Sequence, residues 1–126
     1  LDPIEAGSSL FSRTSDTMKR NNCSNGCLLG NLAQEMSDQN ERLRERLADF
    51  FSSWTRQLAG LFDRAKASGY FNAEFDPESS AEAVVSIYEG ALLCCKARRQ
   101  VSCLDSASAM VRKYLEGFRK PALAIP

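Results

Sequence analysis

The chain has 126 residues, 44% of them hydrophobic and 25% charged, with sixteen basic residues offset by sixteen acidic ones. That is one domain's worth of chain with a single modest core, too evenly charged to hold DNA on its own by displacing phosphate counterions. No run approaches the roughly 18 apolar residues that span a bilayer, and the opening residues lack a signal peptide's charged-then-apolar pattern, so no membrane partner is expected. The five cysteines, at 23, 27, 94, 95 and 103, are odd in number and irregularly spaced. A secreted disulfide framework reads differently, and a reducing cytoplasm is the expected location.

Residue 1 is Leu and helical pattern begins almost at once, which leads us to expect a preceding N-terminal portion in the intact protein. The first helix follows Asp2-Pro3 and places Ile4, Phe11 and Met18 at loose helical spacing. A short second helix, about Cys27 to Met36, follows the turn-forming Asn25-Gly26. The third begins near Asn40 and stops before Gly69. Its apolar residues Leu43, Leu47, Phe50, Phe51, Trp54, Leu58, Leu61, Phe62 and Ala65 advance in threes and fours, the signature of an amphipathic helix. Asn40 suits the N-cap and Gly69 a left-handed C-terminal cap.

Asp76-Pro77-Glu78 starts the fourth helix with a capping acid, a first-turn proline and an acid for the positive helix end. It runs to about Arg99 and carries two apolar stripes. One comprises Ala81, Val84, Val85, Tyr88, Ala91, Leu92 and Cys95; the other, built mostly of small residues, comprises Ala83, Ile87, Gly90, Cys94 and Ala97. A helix apolar on two sides must be covered on two sides, either by a second subunit or by the first helix of the same chain. The last helix opens with Ser102-Cys103-Leu104-Asp105, which reads as a capping box, and ends before Pro121. No stretch alternates apolar and polar residues as a strand does. The expected fold is all-α, a bundle of about five helices.

The order and spacing of these elements resemble the TetR/AcrR family of bacterial transcriptional regulators. The resemblance rests on Gly26-Cys27-Leu28-Leu29-Gly30-Asn31-Leu32-Ala33-Gln34-Glu35-Met36, on Asn40-Glu41-Arg42-Leu43-Arg44 opening a long helix, on Ala67-Ser68-Gly69, on the Asp76-Pro77-Glu78 start, and on Tyr88-Glu89-Gly90-Ala91-Leu92-Leu93. It covers roughly residues 4–118. The family's helix-turn-helix head has no counterpart here. The resemblance implies that residues 1–126 form a ligand-binding and dimerisation domain, touching DNA only through that absent head. It also implies a homodimer in which the last two long helices of each chain form a four-helix bundle. Small residues permit close helix approach and agree with such a pairing, so Ala83, Ile87, Gly90, Cys94, Ala97, Met110 and Tyr114 are the candidate interface residues.

The implied partner is a small, largely apolar effector. Phe11, Met18, Phe51, Trp54 and Leu58 are candidates to line its cavity, with Asn31, Thr55 and Tyr88 for polar contacts; an aromatic stripe at this spacing serves plain core packing equally well. Cys27, at a helix start, is a candidate thiolate stabilised by the helix dipole, alternatively a small core residue. This allows a second reading, a cysteine-based sensor of electrophiles or oxidants, of a kind that occurs in the family. A third is a ligand-free dimerisation or adaptor module. With no histidine in the chain, neither nucleophilic catalysis nor a zinc site is expected. Glycine-rich phosphate loops are missing too. The expectation is a non-enzyme without cofactor or metal.

Overall fold

The computed structural model describes residues 2–121, which form five helices: α1 (Pro3–Arg20), α2 (Leu28–Met36), α3 (Glu41–Ala67), α4 (Pro77–Arg98) and α5 (Ser102–Glu116). Their starts follow from local chemistry. The first amides of a helix have no carbonyl partner within it, and side-chain oxygens supply one. Asp2 accepts from the N–H groups of Ile4 and Glu5 at 2.9 and 3.1 Å. Asn40 accepts from Leu43 at 3.0 Å and Asp76 from Ser79 at 3.1 Å. After α3, Gly69 takes a φ of +86°, which costs a residue without Cβ little.

The start of α5 departs from expectation. Val101 is the cap residue and makes no side-chain bond, while Ser102 lies inside the helix. Asp105, which a capping box would turn back along the helix, accepts instead from Ser15 Oγ of α1 at 3.1 Å. A tertiary partner has displaced the local one.

The bundle is built on three helix pairings, α1 with α5, α3 with α4, and α4 with α5. Ile4, Phe11 and Met18 of α1, Phe62 of α3, and Leu104, Val111 and Leu115 of α5 meet in the core. Gly7 lets α1 approach: a Cβ there would lie 2.9 Å from Leu115 Cδ1 and 3.2 Å from Phe62 Cζ. Phe71 and Phe75, from the α3–α4 connection, stack at 4.0 Å and close one end, where Phe71 forms an isolated β-bridge with Arg119.

The two stripes of α4 have different fates. Ala81, Val84, Val85, Tyr88, Ala91, Leu92 and Cys95 are buried. Ala83, Ile87, Gly90, Cys94 and Ala97 are exposed, so α1 does not cover them. Among the described residues, no helix is long and apolar enough to cross a membrane.

Candidate functional site

Two features of α4 stand out, a groove on one flank and the uncovered outer face. The groove runs between α3 and α4 and encloses about 1120 Å³. The α3 wall carries Phe51, Thr55, Arg56 and Ala59; the α4 wall carries Glu82, Val85, Ser86 and Glu89. Phe51, Ala59 and Val85 offer apolar surface, while Thr55, Ser86 and the carboxylates offer polar contacts, the mixed lining on which small-molecule sites are built.

Glu89 is the unusual member. Its Oε1 is buried without a hydrogen-bond partner. Burial pushes its carboxyl pKa up, and a hydrogen bond with the Cys27 thiol pulls the other way. Gly30 makes this approach possible, since a Cβ there would lie 2.6 Å from Glu89 Oε2. The carboxyl group of α4 therefore reaches the first turn of α2.

Cys27 caps α2, its Sγ accepting from the Gly30 N–H at 3.4 Å. The pKa direction at Cys27 runs against the thiolate candidate and with the core-residue alternative. Burial pushes the thiol's pKa up, the adjacent Glu89 adds to the rise, and the Gly30 amide only partly opposes them. A half-buried thiol beside a carboxylate keeps its proton more firmly than a free one.

The nine ligand-site candidates do not converge on one cavity. Phe51 and Thr55 line the groove, and Cys27 sits at its Glu89 end. Phe11, Met18 and Tyr88 are core residues. Phe11 and Trp54 each meet the Tyr88 ring edge-on at 5.5 Å, and the Tyr88 hydroxyl bonds Thr14 Oγ1 at 2.8 Å. Burial raises the Tyr88 pKa. Leu58 packs against the core, and the Asn31 side-chain amide donates to the Asn25 carbonyl, holding the turn before α2. Glu89 escaped the sequence reading. Its place between the two apolar stripes does not distinguish it in the sequence, since Glu82 and Lys96 lie on the same flank of α4.

On the outer face, Ile87 is 40% exposed, Met110 66% and Tyr114 45%, with Leu93 beside them at 47%. A Cβ added to Gly90 would meet nothing within 4 Å. Glycine in a helix interior costs up to about 1 kcal/mol relative to alanine, and no intrachain contact at Gly90 offsets that. Among the described residues no group of three or more His, Cys, Asp or Glu could hold a metal ion.

Comparison with known proteins adds the following. The family described as "Tetracyclin repressor-like, C-terminal domain" matches residues 8–111. The transcriptional regulator AcuR of Cereibacter sphaeroides is 40% identical over 88 residues, which are 69% of this chain and 40% of that protein. The HTH-type transcriptional repressor DhaR of a Mycobacterium species is 26% identical over 90 residues, 71% of this chain and 46% of that protein. The chain thus spans less than half the length of these relatives. Among solved structures, the regulatory protein TetR from Rhodobacter sphaeroides superposes with a TM-score of 0.82 at 32% identity, covering 90% of this chain and 60% of that one. A TetR-family regulator from Cytophaga hutchinsonii shares the fold, with a TM-score of 0.72 at 22% identity over 76% of this chain and 48% of that one.

Proposed function

The chain belongs to the TetR family of transcriptional regulators, as a C-terminal domain of that family, and from this premise we propose that it is the effector-binding and dimerisation domain of a longer DNA-binding protein. The observation that carries the reading is the pair of unfilled surfaces on α4: an open groove on one flank and an apolar face without an intrachain partner. The groove receives a small effector whose largely apolar body lies against Phe51, Ala59 and Val85, with a hydrogen-bond donor directed at Glu89. The outer face, through Ala83, Ile87, Gly90, Cys94 and Ala97 with Met110 and Tyr114, joins two copies about a two-fold axis.

These two surfaces share a helix, which is how one affects the other. A ligand shifts an equilibrium only by its difference in affinity for two states. An effector seated between α3 and α4 favours one inclination of α4. In a symmetric pair, that inclination sets how far apart the two DNA-reading heads lie.

Native mass spectrometry of the freshly purified chain tests this. The expected result is a dimer carrying additional mass that is lost on denaturation. A dimer that stays bare, and binds no member of a small-molecule library in the same measurement, favours the ligand-free adaptor. A monomer contradicts the assignment of the outer face.

A further inference from the structure

The groove between α3 and α4 is charged in a way that the chain as a whole is not. Acidic and basic residues balance over the full sequence, yet the groove is lined by Asp63, Asp76, Glu78, Glu82 and Glu89 against one base, Arg56. Two of these acids have a local reason to be there. Asp76 caps α4 and Glu78 lies in its first turn, where the positive helix end favours acids. Asp63, Glu82 and Glu89 lie outside any first turn. Among the described residues, none of the five carboxylates is within ion-pair distance of a lysine or arginine.

The acids are also ordered along the groove. Glu78, Glu82 and Glu89 follow one another at intervals of four and seven residues, which keeps them on one flank of α4. The Trp54 ring meets that of Tyr88 edge-on at 5.5 Å, so the Phe51 turn of α3 stands opposite the Glu89 turn of α4. An aromatic ring and a carboxylate therefore mark one end of the groove, and Ala59 and Val85 lie between them and the acids near Asp76.

Glu89 is the member that does not read as a solvated surface acid. It lines the groove, and its Oε1 is buried without a hydrogen-bond partner. A buried carboxylate oxygen left unpaired is costly, and a charged donor placed beside it offsets that cost. A carboxylate and an aromatic ring together suit an organic cation, the first by charge and the second by its quadrupole. A cleft lined by one sign of charge also concentrates ligands of the other sign.

Taking the groove as the effector site, we infer that its effector is an organic cation. An ammonium or amidinium group pairs with Glu89 beside Phe51, and the hydrocarbon body lies over Ala59 and Val85. An anionic effector would meet the same carboxylates at a penalty.

Isothermal titration calorimetry at pH 7 tests this with three probes of one shape: 4-phenylbutylamine, 4-phenylbutanol and 4-phenylbutyrate, which are cationic, neutral and anionic. The amine is expected to bind about tenfold more tightly than the alcohol, as a charge-assisted bond allows, and the carboxylate more weakly than either. Glu89→Gln keeps the shape of the side chain. It is expected to lower amine affinity about tenfold and to leave the alcohol's unchanged, which also shows that the variant keeps its groove. Raising sodium chloride to about 0.5 M is expected to weaken the amine alone. Equal affinities for amine and alcohol, or an amine affinity indifferent to Glu89→Gln, would overturn the charge assignment and leave the groove as an effector site. Binding of none of the three at millimolar concentration would instead remove the groove as the effector site, and the charge assignment with it.

Discussion

The two apolar faces of α4 differ little in hydrophobicity and completely in fate. The inner face, with Val84, Tyr88 and Leu92, packs against α1, α3 and α5, whereas the outer face, with Ala83, Ile87, Gly90, Cys94 and Ala97, lies open. Most of the bulk lies inside, in Val84, Val85, Tyr88 and Leu92, although Ala81 and Ala91 are also buried and Ile87 lies 40% exposed on the outer face. Large side chains remove more apolar area from water, at roughly 25 cal/mol per Å², so a helix apolar on two sides turns its bulky stripe into its own core. The small stripe gains little from intrachain burial. One face stabilises the fold; the other lies open and is the face proposed above to join two chains.

Substitutions on the two faces separate these roles. The largest effect is expected inside. Leu92→Ala removes a side chain that is 3% exposed, at a cost of about 2–5 kcal/mol, read as a lower urea midpoint with little change in slope. A loss below about 1 kcal/mol, small for a buried leucine, would mean that the inner face is looser than described.

A smaller effect is expected at the boundary between the faces, where Glu89 sits. Its folded-state pKa is raised by burial, so the stability it contributes is fully present below the carboxyl's unfolded pKa and is lost as pH rises through the folded value. Glu89→Gln is therefore expected to raise Tm at pH 7, with the gain shrinking as the pH is lowered toward about 4, near the unperturbed glutamate value. The smallest effect belongs to Asp76, whose pKa is lowered chiefly by the Ser79 N–H. Its contribution is present above the unfolded value and lost as pH falls through the folded one. Asp76→Asn should thus lower Tm slightly at pH 7, by an amount that shrinks as the pH falls below about 3.9, the unperturbed aspartate value. Parallel pH responses of the two variants would contradict the contrast drawn between their surroundings.

The helices were legible in the sequence because their starts are local events. Asp2-Pro3, Asn40 and Asp76-Pro77 each act on amides two or three residues away, and the structure places caps at all three. The α5 start was misread because Asp105 answers to Ser15, a residue 90 positions distant. The candidate site was less legible for the same reason. Phe11 and Phe51 look alike in a helical pattern, and only the packing of α1 against α5 sends Phe11 into the core and leaves Phe51 beside the groove. Cys27 was rightly placed at a helix start, but its pKa direction is governed by Glu89, brought from α4 by the fold.

Sedimentation equilibrium of the unsubstituted chain and of Gly90→Leu, run side by side at micromolar concentrations, tests the central claim that the open face of α4 joins two chains. The account predicts twice the chain mass of 13.9 kDa for the first. For the second it predicts a single chain mass with an unchanged far-UV spectrum, since a Cβ at position 90 meets nothing within one protomer. A Gly90→Leu protein that stays dimeric, or an unsubstituted chain that sediments as a monomer, would contradict it.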